Sequence, residues 1–443
     1  MDIAKLYENK KPMEVFAFYG PCDGKLDNGK PMGDGTDFRI KERYIEYKEC
    51  GFDILLIEDE AVYNGEPFMT SKTKEVMDIC YEIGLKVIVL DRRIYYLAIK
   101  GFKGKEIDGF TINSTEDLHK LVAFYMKDYM HHPAFMGVYI MDEPIVEQLD
   151  DVSAIVGAIK AAKSDCYVHI CHTSAGAIHS RNDELVKRDN WSDITWDQYL
   201  FMYYETMKNP KLCRTFHLYM EKIKKFSQKH NIGFTAVTLQ AFGGDLLNGC
   251  TGLGWRQVDD YDLRYQVYAS LLYYPTRLCW FHYWASKHNI NGNTEKSIMN
   301  AFGEKVMYDQ AQKLNAEIKA LSKVMNNFDY RGVNVFNDKK TSTYYFLNEI
   351  DFKFNDMTVE KIKGAVIISE GYDKENNLTG FLVHNSIEPE KRKSATLTLN
   401  FKGADKVVIF DRAKPKTVVL KDGKLKLKLP CAEGVFIIPQ KVN

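Results

Sequence analysis

The sequence has no excess of charge of either sign. Its 443 residues include 60 basic and 60 acidic side chains, which gives a formal net charge of zero. Nucleic acids and anionic membranes attract strongly basic surfaces, so neither partner is expected. Every apolar run is too short to cross a bilayer, and residues 1–5 do not resemble a signal peptide. We expect a cytoplasmic protein, although a secreted chain trimmed of its leader would look the same. The sequence leaves the oligomeric state open, and a homo-oligomer is compatible with it.

Close cysteine pairs are also missing. The nine cysteines are scattered along the chain: Cys22, Cys50, Cys80, Cys166, Cys171, Cys213, Cys250, Cys279 and Cys431. An odd and dispersed set argues against a disulfide framework and against a zinc site of the Cys-x-x-Cys kind. The glycine-rich stretch 20–35 does not match the phosphate-binding pattern G-x-G-x-x-G. We therefore expect no metal and no cofactor.

The first 329 residues contain a regular alternation of short apolar segments with amphipathic ones. Eight segments are predicted to be strands: 13–19, 52–57, 85–90, 137–144, 167–171, 194–199, 233–240 and 277–284. Segments predicted to be helices are 38–50, 73–83, one that begins with a capping box at Ser114 and Asp117, 146–163, 212–230, 262–273 and 295–325. This pattern predicts a (β/α)8 barrel. An open doubly wound sheet is the alternative, which the missing phosphate loop disfavours.

The pattern changes near residue 330. Short alternating runs follow at 343–347, 364–369, 379–384, 395–401, 406–410, 417–420, 425–429 and 434–438. Lys421-Asp422-Gly423 is a favourable hairpin turn between two of them. Regularly spaced strands with turn residues between them predict an antiparallel β-sandwich. We expect a barrel domain at 1–329 and an accessory sandwich domain at 330–443.

The predicted fourth strand, 137–144, ends in Asp142, Glu143 and Pro144. Its apolar part is typical of a parallel strand that is covered on both faces. Two adjacent acids do not belong in such an interior, and Pro144 suits a strand exit. We therefore place Asp142 and Glu143 at the C-terminal ends of the strands, where barrels bind their ligands. Like charges side by side raise each other's pKa, which suits an acid catalyst.

Other polar and aromatic residues follow the same ends of the predicted strands. They are Tyr19, Glu58, Glu60, Asp91, Arg92, His172, Asp197, Tyr199, Gln240, His282, Tyr283 and Trp284. Glycoside cleavage needs two carboxyl groups beside the scissile bond, and sugar rings stack on aromatic faces. We expect Trp284, Tyr283 and Trp255 to form an aromatic platform for the sugar. Each residue also has a structural explanation: Arg92 would neutralise Asp91, and the aromatic rings would belong to the core.

The segment 137–144, Gly-Val-Tyr-Ile-Met-Asp-Glu-Pro, resembles the fourth-strand signature of a large clan of barrel glycoside hydrolases that includes β-galactosidases and cellulases. That clan typically has Asn-Glu-Pro here, with Glu as acid/base and Asn on a substrate hydroxyl. The likeness extends to 196–199, 238–242 and 264–284, and to the C-terminal runs 401–405 and 434–438. It implies a hydrolase acting on carbohydrate, with Glu143 as the acid/base that protonates the leaving oxygen and Asp142 in place of Asn.

The sequence departs from that clan at the end of the seventh strand. The clan has a nucleophilic Glu there, whereas this chain has Gln240, and an amide cannot attack. Three explanations remain open. Another strand supplies the second carboxylate, with Asp91, Asp197 and Glu58 as candidates; the enzyme inverts, with carboxyl groups roughly 6.5–9.5 Å apart; or the barrel binds sugar without cleaving it. We favour an inverting enzyme whose second carboxylate comes from another strand. Asp91 and Asp197 are equally good candidates for that carboxylate.

Two other classes of function are weighed. A non-catalytic carbohydrate-binding barrel is the main alternative to hydrolysis. A metal-dependent barrel enzyme is the other, because His169 and His172 on the fifth strand lie near acids. Their odd spacing places them on opposite faces of a strand, so one at most enters the pocket directly.

Overall fold

The computed structural model describes residues 2–63, 65–204, 211–212, 215–243, 253–255, 257–285, 287, 297–338, 352–412 and 414–441. Eight parallel strands form its first sheet: β1 Glu14–Ala17, β2 Ile54–Leu56, β3 Lys86–Leu90, β4 Phe135–Asp142, β5 Tyr167–Cys171, β6 Asp193–Asp197, β7 Gly233–Gln240 and β8 Arg277–Phe281. Their order in the sheet is β5-β4-β3-β2-β1-β8-β7-β6, so sequential neighbours pair throughout. A parallel bridge between His172 and Trp196 joins the two ends of the sheet. The predicted barrel is confirmed.

Helices surround the barrel. They are α1 Ile3–Tyr7, α2 Lys41–Glu49, α3 Lys72–Ile83, α4 Arg92–Lys100, α5 Thr115–Met126, α6 Leu149–Ala162, α7 Ser174–Ala177, α8 Asn182–Arg188, α9 Phe216–His230, α10 Asp260–Leu271 and α11 Tyr308–Met325. The capping box predicted at Ser114 and Asp117 is confirmed at the start of α5. Helix α4 was not predicted, and α11 begins at Tyr308 rather than near 295. Among the described helices, none combines the length and apolar character needed to span a membrane.

Two antiparallel sheets follow the barrel. Their strands are β9 Asp329–Asn337, β10 Met357–Lys363, β11 Ala365–Asp373, β12 Leu378–Asn385, β13 Ala395–Phe401, β14 Ala404–Asp411, β15 Lys414–Val419, β16 Lys424–Leu429 and β17 Gly434–Lys441. One sheet has the order β9-β11-β12-β17-β14-β15 and the other β10-β13-β16. A core of buried aliphatic and aromatic side chains fills the space between them. The predicted sandwich is confirmed, and only the strand predicted at 343–347 lies outside the described residues.

The sandwich packs directly on the barrel. Phe328 and Phe436 belong to the same buried core as the barrel helices. The hydroxyl of Tyr7 in α1 donates to the Asp373 carboxylate at 2.6 Å, and Arg264 in α10 pairs with Glu433 at 3.3 Å. The division at 329/330 falls at the first residues of β9 and stays a prediction.

Candidate active site

The C-terminal ends of the eight strands form one end of the barrel, which we call the mouth. Strand β4 ends there at Asp142, and both Asp142 and Glu143 are exposed. Glu143 has a φ of 44°, a left-handed conformation that is costly for a residue with a side chain. Its amide donates to the carbonyl of Cys171 on β5 at 2.7 Å. This hydrogen bond helps to fix the strand exit and hence the direction in which Glu143 leaves the barrel.

Asp197 is the last residue of β6, on the other side of β5. It is half-buried, and its amide donates to the carbonyl of His172 at 3.2 Å, across the seam where the barrel closes. Burial raises the pKa of Asp197 well above its usual range, and the charges of Glu143 and Asp142 raise it further. The topology agrees with this: Asp142 and Glu143 lie at the exit of β4 and Asp197 at the exit of β6, on the two sides of β5 at the mouth.

Glu143 shares this electrostatic environment. Although its side chain is partly exposed, burial of the carboxyl raises the pKa of Glu143, and the charge of Asp142 adds to the effect. A raised pKa keeps the proton on a carboxyl group closer to neutral pH, where it can be donated. A carboxyl group in these surroundings is suited to general acid chemistry.

Removing the charge of Asp142 tests this coupling. Asp142 raises the pKa of both Glu143 and Asp197, so Asp142→Asn should lower both. The pH range in which these acids together hold one proton then moves to lower pH. We expect the titration profile of the carboxyl groups, followed by carbon NMR, to shift as a whole in the acidic direction. The matched control is Asp165→Asn, at the opposite end of β5, which should leave the profile in place; an alkaline shift in Asp142→Asn would contradict the coupling.

Glu58 adds a fourth acid to the mouth. It follows β2, is half-buried, and its carboxylate accepts from the amide of Tyr19 at 2.7 Å. Burial raises the pKa of Glu58 to about 8, and the charges of Asp59 and Asp142 also raise it. The hydrogen bond from the Tyr19 amide and the charge of Arg92 lower it, but their effect is smaller in sum. Glu58 is therefore largely neutral at pH 7 and can donate a hydrogen bond, while Arg92 supplies positive charge nearby.

Asp91 is a correction to the sequence analysis. It is 0% exposed, and its carboxylate accepts from Arg93 at 2.7 and 2.9 Å and from the Tyr129 hydroxyl at 3.0 Å. It also caps α4 by accepting from the Arg93 amide at 3.0 Å. Its cation is therefore Arg93, not the Arg92 that was expected. With both oxygens engaged inside the protein, Asp91 is a structural acid and does not serve as the second carboxylate.

The expected aromatic platform is also corrected. Tyr283 and Trp284 are both 0% exposed. The Trp284 ring lies 4.7 Å from that of Phe38, and the Tyr283 ring lies 4.8 Å from that of Tyr47 in α2. Both rings therefore pack between the barrel and α2 and offer no face to a ligand. Trp255 lies in a short strand, Leu253–Trp255, and its side chain is outside the description.

A different aromatic group lies at the mouth. Phe281, the last residue of β8, is half-buried, and its ring lies 5.6 Å from Tyr19, 5.5 Å from Tyr199 and 5.3 Å from Phe242. His282 stacks on Phe242 at 5.7 Å. The two-residue period of β8 could have identified Phe281 from the sequence, because Cys279 and Phe281 face the barrel interior together.

The remaining predicted residues have mixed surroundings. Gln240 is fully buried, and its side-chain amide donates to the carbonyl of Phe242 at 3.0 Å. His172 is buried against Trp191, and burial lowers the pKa of His172 to about 4, so it is neutral. Tyr199 is buried close to Asp197, and burial and that charge raise the pKa of Tyr199. In the described part of the chain, no three His, Cys, Asp or Glu side chains are grouped so that they could hold a metal ion.

Comparisons with known proteins define the fold more than the chemistry. Neither a protein-family model nor a curated protein matches the sequence. Among solved structures, a family 5 glycoside hydrolase from Bacteroides vulgatus matches with a TM-score of 0.53 at 10% identity, covering 96% of this chain and 95% of that one. A family 27 β-L-arabinopyranosidase from Geobacillus stearothermophilus matches at 0.52 and 10%, covering 98% of each chain. A family 39 glycoside hydrolase from Bacteroides cellulosilyticus matches at 0.50 and 12%, covering 99% of this chain and 82% of that one. At such identities the likeness shows the shared fold.

Proposed function

We propose that the protein is a glycoside hydrolase that cleaves a glycosidic bond of an oligo- or polysaccharide. Glu143 is its general acid/base, and Asp197 is the second carboxylate. The observation that carries the proposal is the position of Glu143 and Asp197 at the exits of β4 and β6, on either side of β5 at the mouth, and the raised pKa of Asp197 supports it. Two interacting carboxyl groups beside an aromatic surface are what glycoside cleavage requires. The names of the structural neighbours, glycoside hydrolases of families 5, 27 and 39, support the same class of reaction.

Glu143 protonates the leaving glycosidic oxygen in this mechanism. Its exposed position at the strand exit leaves room for the departing sugar and lets the carboxyl regain its proton from solvent. Its raised pKa keeps a proton available. Phe281 at the end of β8 and Tyr19 after β1 offer ring surface at the same mouth for the sugar that stays bound.

Asp197 is the general base: it takes a proton from the water that attacks the anomeric carbon, which gains positive charge in the transition state as the bond to the leaving oxygen breaks. In the free protein its ionised form is poorly stabilised, as its raised pKa shows. An oxocarbenium-like sugar next to Asp197 favours that ionised form. The carboxylate is thus stabilised more in the transition state than in the free protein, and this difference is what accelerates a reaction.

The positions of the two strands are compatible with inversion of configuration, which we include in the proposal. β4 and β6 lie on either side of β5. Since neighbouring strands are about 4.8 Å apart, the two strand ends are about 10 Å apart. Inverting enzymes place their carboxyl groups about 6.5–9.5 Å apart, so that a water fits between one acid and the sugar, whereas retaining enzymes need about 5–5.5 Å.

A screen of 4-nitrophenyl glycosides tests the function, and proton NMR of the first sugar released tests its stereochemistry. We expect hydrolysis of at least one glycoside and a first product with the anomeric configuration opposite to that of the substrate. Retention would overturn the spacing argument alone. If no glycoside is cleaved, and Glu143→Gln leaves sugar affinity unchanged, the barrel binds carbohydrate without cutting it.

A further inference from the structure

A cavity of about 680 Å³ lies in the β-sandwich. We call it the sandwich cleft. It is lined from β9, β11, β12, β14 and β17 by side chains that include Arg331, Tyr372, Asn377, Thr379 and Lys406. These residues belong to none of the loops that form the barrel mouth. The cleft is large enough for a short stretch of a chain-like ligand.

Hydrogen bonds connect the residues that form the wall of the cleft. The Tyr372 hydroxyl donates to the Asn377 side chain at 2.6 Å. In the turn between β11 and β12, the Asp373 carboxylate accepts from the Asn376 side chain at 2.7 Å and from the Tyr7 hydroxyl of α1 at 2.6 Å. A preorganised wall loses little conformational entropy on binding, which is a property of built sites.

Tyr372 is fixed from its ring as well. The guanidinium of Arg331 lies 4.1 Å from the ring centroid and pairs with the buried carboxylate of Glu370 at 3.2 Å. An oriented aromatic ring next to fixed amides is the combination that sugar rings and their hydroxyls use. Leu378, Ala404 and Pro439 add apolar surface to the lining.

The charges of the cleft nearly cancel. Three cations, Arg331, Lys402 and Lys406, and two acids, Asp356 and Asp405, line it, and Arg331 is paired with Glu370. This mixture offers an anion little net attraction. Hydroxyl groups both donate and accept hydrogen bonds, so mixed donors and acceptors suit an uncharged polyhydroxylated ligand.

We propose that the sandwich cleft is a non-catalytic binding site for a neutral glycan segment, which holds a polysaccharide on the protein while the barrel mouth cleaves it. The choice of glycan rests on the function proposed above. The cleft itself is independent of the carboxylates at the mouth, so the two proposals fail separately.

The test uses the full chain carrying Glu143→Gln, so that a polymer is bound and not cut. Retardation in native gels measures its dissociation constants for soluble β-glucan, arabinoxylan, galactomannan and arabinogalactan. We expect at least one polymer to retard the protein, and Tyr372→Ala to raise that dissociation constant at least fivefold. Thr379→Trp, which fills the cleft without removing any hydrogen bond of its wall, should do the same. Tyr81→Ala is the matched control, because Tyr81 is an exposed tyrosine on α3.

Each outcome decides the matter. An unchanged dissociation constant in Thr379→Trp, or no retardation by any polymer, overturns the sandwich cleft as a glycan site. Otherwise-unsubstituted protein carrying Tyr372→Ala should hydrolyse a small chromogenic glycoside within twofold of the original rate. If binding depends on the cleft but no glycoside is cleaved, the hydrolase proposal fails while this one stands.

Discussion

Glu143→Gln is expected to lower kcat by about two to four orders of magnitude on substrates whose leaving group is an ordinary sugar. The substitution keeps the size and shape of the side chain and removes the proton that must reach the leaving oxygen. Since the amide still fills the same space at the end of β4, sugar affinity should change little. The structural support is the pair of neighbouring acids, Asp142 and Asp197, that interact with Glu143.

The leaving group separates loss of the acid from general damage. 2,4-Dinitrophenolate departs without a proton, so Glu143→Gln should retain most of its activity on a dinitrophenyl glycoside. Glu147→Gln is the matched control, because Glu147 is an exposed acid four residues further on, in the 3-10 turn Val146–Gln148. Steady-state rates on both classes of substrate measure the effect. A rate near that of the original protein on the ordinary glycoside would remove Glu143 from its role.

The sequence was sufficient for the barrel and for the carboxylates at its mouth. Parallel strands in a barrel all direct their C-terminal ends to one side, so acids that follow different strands must approach one another. From this topological rule alone, without any distance, the sequence predicts that four acids lie at the same end of the barrel: Glu58, Asp142, Glu143 and Asp197. The apolar strands and helix caps that set the alternation are local features, which a single sequence records well.

The choice between Asp91 and Asp197 depended on contacts that the sequence does not record. Asp91 begins a helix that was not predicted, and this helix brings Arg93 back onto its carboxylate. Asp197 lies at the seam where β5 and β6 close the barrel. Closure places it two strands from Glu143, and only the three-dimensional arrangement reveals that neighbourhood.

The prediction of an aromatic platform at Tyr283 and Trp284 failed for a related reason. Trp284 and Tyr283 follow β8 by three and two residues, and being close to a strand end does not decide which side of the sheet a ring occupies. Phe281, still within the alternation of β8, faces inward, whereas Tyr283 and Trp284 turn toward α2 and the loop before it. Counting from the last inward-facing residue would have been a better guide than the size of the ring.

Asp197→Asn is expected to lower kcat/KM by about two to four orders of magnitude on ordinary and dinitrophenyl glycosides alike. Asp197 acts at the anomeric carbon, so a better leaving group cannot replace it. Asparagine keeps the hydrogen bond from the Asp197 amide to His172, because that bond belongs to the backbone, and the barrel seam should stay closed.

The pH profile gives a second and independent readout of the same variant. The profile of the original protein should be bell-shaped, and its two limbs belong to the coupled carboxyl groups rather than to single residues. With only one catalytic carboxyl left, Asp197→Asn should lose one limb, whereas Asp165→Asn at the far end of the barrel should retain both. If Asp197→Asn instead recovered on the dinitrophenyl glycoside and Glu143→Gln did not, then Asp197 would be the proton donor and Glu143 its partner. That result would exchange the roles of Glu143 and Asp197, and the two residues would still be the catalytic pair.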